Sequence, residues 1–178
     1  MTTRYRHFTL AQYEAKVEAR FWSKVNKTET CWLWTGHESQ KGYGLYTFTV
    51  YPNGRSIAGA TSKEVRAHRY AWEKTNGPIP EWAELDHTCH TPLCVRPSHL
   101  RPATRKQNSE NQRQESGRAK SGVRGVHWSE QKKKWRAVVV HNGKPHYAGY
   151  FSTVEEASIA VVAKRNELHT FNIQDRIS

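Results

Sequence analysis

Cysteine is scarce in this chain. Only Cys31, Cys89 and Cys94 occur, and an odd number with no signal-type leader does not build a secreted disulfide framework. The N-terminal stretch MTTRYRHFTLAQYEAKV has no apolar segment of signal-peptide length. No apolar run reaches the roughly 18 residues that a membrane-crossing helix needs, so no span is expected. The expected compartment is reducing and cytoplasmic, with thiols free or on a metal. Acidic residues are also few, 16 against 28 Lys plus Arg, leaving a formal charge of +12 on 178 residues. A field of that sign favours phosphate-rich partners, because Lys and Arg displace the counterions of nucleic acid. Apolar residues amount to 36 %, too few for a large core, so one or two small domains are expected, of the kind that a bound metal often staples.

What is present is patterned. Leu10, Tyr13, Val17, Phe21 and Val25 recur at spacings of three and four, which predicts an amphipathic helix over 8–25, with Thr9 as its cap. CWLWTG and LYTFTV alternate as strands, YPNGRSIAGATS reads as turns, and VRAHRYAWEKTNG reads as a helix stopped by Gly77 and Pro78. AELDHTC predicts a strand, HLRPA its return, and Thr104 with Gln107 a capping box that opens a further helix. Between Ala103 and Val123 the only apolar side chain is Ala119, which predicts a solvated helix followed by a linker. Beyond it lie three strand-like runs, an Asn142-Gly143 hairpin signal, and a helix capped by Ser152 or Thr153 with Glu155 and Glu156 in its first turn. The expected fold class is α+β: an N-terminal module over 1–111, a basic linker over 112–119, and a three-stranded antiparallel sheet packed on one helix over 120–178.

The densest chemistry is ELDHTCHTPLCVRPSHL, residues 84–100, with three His and two Cys. Asp86 and His87 end a strand, and Asn108 falls in the first turns of the next helix. Asp and Asn oxygens are hard ligands suited to Mg2+ or Mn2+, and a neutral imidazole beside them can activate water for attack on a phosphate. Asn111, one turn later, is the rival helix ligand.

LDHTCHTPLCVRPSHLRPATRKQN resembles the ββα-metal motif of HNH endonucleases, above all the phage and intron-encoded homing type. The preceding CWLWTG…GYG and AHRYAWE…GPIP are similar to segments that lead into that motif, and the resemblance covers about residues 21–111. It implies a double-stranded DNA substrate, Asp86 as metal-binding acid, His87 as general base and Asn108 as second metal ligand. It also gives His99 the place that orients the base, where many members carry Asn. Arg101 and Arg105 are candidates for gripping the scissile phosphate or the backbone. The Cys and His residues permit several arrangements. His87, Cys89, Cys94 and His99 could form one zinc site; alternatively Cys31, Cys89 and Cys94 join His68 or His90 in a structural zinc, leaving His87 for catalysis. The bland alternative is that the cysteines are small buried hydrophobes.

From Ser121 onward, the elements RGV, WRA, GYFST-EEA and FN resemble the plant ethylene-response-factor (APETALA-type) DNA-binding domain across about residues 120–172. That resemblance implies DNA contacts at Arg124, Trp128 and Arg136, with Trp135 on the sheet surface or in the core. Ser158-Ile159-Ala160 departs from the family's helix. The combined expectation is a homing-type, site-specific DNA endonuclease, monomeric in preference to dimeric. Its rival is a non-catalytic, zinc-stabilised DNA-binding regulator.

Overall fold

The computed structural model describes residues 9–51, 60–111 and 120–173. Its elements are α1 (Leu10–Trp22), β1 (Val25–Lys27), β2 (Trp32–Trp34), β3 (Leu45–Val50), β4 (Thr61–Arg66), α2 (Ala67–Asn76), β5 (Glu84–His87), a 3₁₀ turn (Pro97–His99), β6 (Leu100–Ala103), α3 (Arg105–Glu110), β7 (Val126–Ser129), β8 (Lys134–His141), β9 (Lys144–Phe151) and α4 (Val154–Leu168). The strands pair as β1-β2, β3-β4, β5-β6 and β7-β8-β9. This is an α+β fold, as expected. None of the described helices is long and apolar enough to cross a membrane.

Three helices begin with a capping box. Thr9 with Gln12, Thr104 with Gln107 and Thr153 with Glu156 each exchange side-chain and backbone hydrogen bonds. Each box satisfies N–H groups that a helix start would otherwise leave open. Helix α1 ends at Ser23, so Val25, expected as its last apolar position, instead pairs with Trp34 in a hairpin. Thr61 to Arg66 form β4 by pairing residue for residue with β3, although Thr-Ser-Lys-Glu has little strand propensity. The rest of the expected turn, 52–59, lies outside the described residues, as does the expected linker 112–119.

The chain divides into two compact units: one of Met1–Glu81 with Thr91–Pro102, the other of Trp82–His90 with Ala103–Ser178. In the first, Phe21 is fully buried among Trp34, Tyr46 and Tyr70, with ring centroids 4.5–5.1 Å away. Val17, Ala67, Ala71 and Val95 complete that core. Gly44 is required there, because a Cβ would stand 2.5 Å from the Trp34 ring.

In the second unit Val126, Ala137, Val139, Ala157 and Val161 are buried between the three-stranded sheet and α4. Asn142 and Gly143 both take positive φ, 52° and 73°, and turn β8 into β9 as the sequence suggests. Strand β7 starts later than expected because Gly122 and Gly125 also adopt positive φ. The helix α3 belongs to this unit through main-chain donors: Thr170 N–H donates to Glu110 Oε2 at 3.2 Å, and Ile173 N–H to Asn111 Oδ1 at 3.3 Å.

Candidate functional site

Strand β5 exposes Glu84 and buries its last three residues, Leu85, Asp86 and His87. A carboxylate this enclosed needs partners, since an isolated buried charge is strongly disfavoured. Asn111 supplies them: its Nδ2 donates to Asp86 Oδ1 at 3.1 Å and Oδ2 at 3.0 Å. Asn111 is itself 3 % exposed and caps the C-terminal end of α3, so helix α3 delivers an amide to the strand end. The expected partner, Asn108, lies three residues earlier on the same helix face and is half-buried. Its Nδ2 donates to Glu84 Oε2 at 2.7 Å, two residues before Asp86 along β5. The structure thus brings both helix amides to β5 but gives the contact with Asp86 to Asn111.

The sulfur ligands gather separately. Cys31, Cys89, Cys94 and His99 each offer a ligand atom within 4.8 Å of the others. His99 Nδ1 is 3.7 Å from Cys31 Sγ and 3.7 Å from Cys94 Sγ. Sulfur and nitrogen ligands at about 2.3 and 2.1 Å from a tetrahedral zinc stand about 3.6 Å apart, so the spacing and the soft donors fit that ion. The scaffold is local. Val95 N–H donates to Trp32 O at 2.8 Å and Trp34 N–H to Leu93 O at 2.9 Å, which lays residues 93–95 along β2. Arg96 Nη1 donates to Glu29 O and Thr30 O, both at 2.8 Å, and fixes the turn that carries Cys31.

His68, one of the histidines expected for a structural zinc, is buried in α2 with its ring 5.5 Å from Tyr43. His99, expected to orient His87, has its Nδ1 beside the two sulfurs of Cys31 and Cys94. The regular spacing Cys89-x4-Cys94-x4-His99 carried that signal in the sequence.

The basic candidates are spread out. Arg101 is half-buried on β6, and Arg105 is exposed at the first turn of α3. Arg124 is directed at the end of α3, with Nη1 donating to Glu110 O at 3.3 Å and Nη2 to Ser109 O at 3.2 Å. Arg136 pairs across the sheet with His127 and Tyr150. These three lie on the face opposite buried Ala137, where Tyr147 is also exposed. Trp128 belongs to the α4-facing row with Trp135, half-exposed at its edge, the two rings 5.2 Å apart.

Comparison with known proteins places these residues in a family. Residues 65–110 match the family profile described as HNH endonuclease. Protein 3.8 of Escherichia phage T7 is 38 % identical over 84 residues, covering 47 % of this chain and 69 % of that protein. Protein 7.7 of the same phage is 36 % identical over 72 residues, 40 % of this chain and 46 % of the relative. The uncharacterized gene 5.3 protein of Enterobacteria phage T3 is 35 % identical over 71 residues, 39 % of this chain and 64 % of the relative. The chain therefore spans less than two thirds of the second and third of these relatives. No solved structure matches it. The chain belongs to the family of phage proteins that includes Protein 3.8, and it carries an HNH endonuclease domain at residues 65–110.

Proposed function

We propose that this protein is a metal-dependent, site-specific DNA endonuclease of the homing type. The observation that carries the reading is the pairing of buried Asp86 with the α3 amide of Asn111, next to the buried His87 at the end of β5. The donor set at the strand end is hard oxygen, which fits Mg2+ or Mn2+ and not zinc. Asp86 and Asn108 Oδ1 would hold that ion, and Asn111 is the positioning residue that fixes the carboxylate. When bound, the cation supplies Lewis-acid stabilisation of charge on the phosphate and on the leaving oxygen.

His87 acts as general base: its neutral imidazole takes the proton from the attacking water. Arg101 and Arg105 grip the DNA backbone around the scissile phosphate. Cys31, Cys89, Cys94 and His99 would hold a structural zinc. The C-terminal sheet, similar to the ethylene-response-factor domain, finds the site on double-stranded DNA through Arg136 and the edge of Trp128. Arg124 serves chiefly to tie β7 to α3. Cleavage leaves 5′-phosphate and 3′-hydroxyl ends, and one motif per chain makes a nicking monomer the expected form.

The test is supercoiled plasmid carrying the phage's own DNA, incubated with zinc-loaded protein with and without Mg2+. Nicked or linear product only with Mg2+ supports the reading. Tight binding with intact plasmid in Mg2+ and Mn2+ would leave the zinc-stabilised DNA-binding regulator.

A further inference from the structure

A second set of ligand-bearing side chains shares no residue with the Asp86 centre or with the Cys/His group. Glu110, His141 and His169 offer one ligand atom each, all within 4.8 Å of one another. They come from three separate elements: the last residue of α3, the last residue of β8, and the residue that caps α4. Glu110 is 6 % exposed and His169 is 2 % exposed. Enclosing a carboxylate and two imidazoles together has a use if they share a cation. His141 Nδ1 is 3.8 Å from Glu110 Oε1. Two such ligands on a tetrahedral zinc stand about 3.4 Å apart, a closure of a few tenths of an ångström. The imidazoles of His141 and His169 have centroids 5.5 Å apart and are inclined at 33°.

We propose that Glu110, His141 and His169 form a binding site for a borderline divalent cation of the zinc class, distinct from the Cys/His group and from the Asp86 centre. Two imidazoles and one carboxylate leave at least one coordination position open. That position faces a cleft of about 250 Å³ whose walls include Lys106, Arg124 and Asn142. Lys106 Nζ stands 3.8 Å from Glu110 Oε1, on a side chain that is 55 % exposed, so a cation at the carboxylate would displace an ammonium that is free to move into solvent. With Lys106 and Arg124 in the wall, the open position suits water or an anionic ligand.

The consequence is mechanical. Glu110 immediately precedes Asn111, the residue that holds Asp86. A cation at Glu110 would clasp that end of α3 to β8 and to the end of α4, and so steady the amide that positions the carboxylate.

The experiment uses the full chain carrying one equivalent of zinc, with excess Mg2+ to occupy the oxygen site, titrated with Co2+ and followed by absorption. The expected result is one further equivalent with visible d–d bands and no near-ultraviolet thiolate-to-cobalt band. The signal should vanish in His141→Ala and in Glu110→Gln and persist in His146→Ala, with folding checked by melting in chelator. No further equivalent in the wild-type chain, a thiolate band alone, or unchanged binding in both variants would overturn the site.

Discussion

Asp86 shows how much one side chain can depend on another. Its two oxygens both accept from Asn111, and buried acceptors that lose a donor cost about 1–3 kcal/mol. Asn111→Ala is therefore expected to lower stability by that amount in denaturant melts and to raise the Mg2+ concentration needed for half-maximal cleavage. Asn108→Ala, at a half-buried position, should leave the melt within about 0.5 kcal/mol and still abolish Mg2+-dependent cleavage. The opposite pattern would make Asn111 the ligand. Gly125 has φ +85°, and a Cβ there would lie 2.6 Å from Val138 O. Gly125→Ala should therefore cost more than the roughly 1–2 kcal/mol of the backbone conformation alone, read as a drop in the melting midpoint. At this scale the sequence was partly legible. Asp86 and His87 announced themselves by adjacency, whereas the choice between Asn108 and Asn111 depends on how α3 is rolled against β5, which no spacing encodes. Glu110, His141 and His169 are invisible in the same way, because their neighbours in sequence are ordinary.

Helices and strands were legible to the extent that their causes are local. All three capping boxes are spelled out by residues three apart, and each opens a helix. Strands β1 and β4 were missed because their cause is a partner: Val25–Lys27 and Thr61–Arg66 are strands only opposite β2 and β3. The short α3, six residues, is too brief to hold itself by backbone bonds and relies on its cap and on packing. Thr104→Ala and Thr153→Ala should each cost about 1 kcal/mol in thermal melts. Only Thr104→Ala should also slow cleavage, because α3 carries both amides while α4 carries none of the nuclease residues.

For the molecule as a whole, charge and metal decide the behaviour. With a formal charge of +12, affinity for duplex DNA should fall about a hundredfold between 50 and 200 mM salt for about four phosphate contacts, measured by anisotropy. A flat salt response would count against DNA as partner. The Cys/His group ties Cys31 to a loop some sixty residues later, so Cys94→Ser or a strong chelator should remove zinc and lower the melting midpoint. The expected linker over 112–119 rested on composition and lies outside the described residues; on its N-terminal side Glu110 and Asn111 accept hydrogen bonds from the segment after α4.

The most direct test is His87→Ala in the plasmid assay, with zinc content, circular dichroism and duplex binding measured on the same preparation. The expected result is a fall in cleavage of at least a hundredfold, in keeping with the ~10²–10⁴-fold that a general base contributes, with zinc, fold and binding retained. Cleavage at the wild-type rate by a folded, zinc-loaded His87→Ala protein would contradict the account.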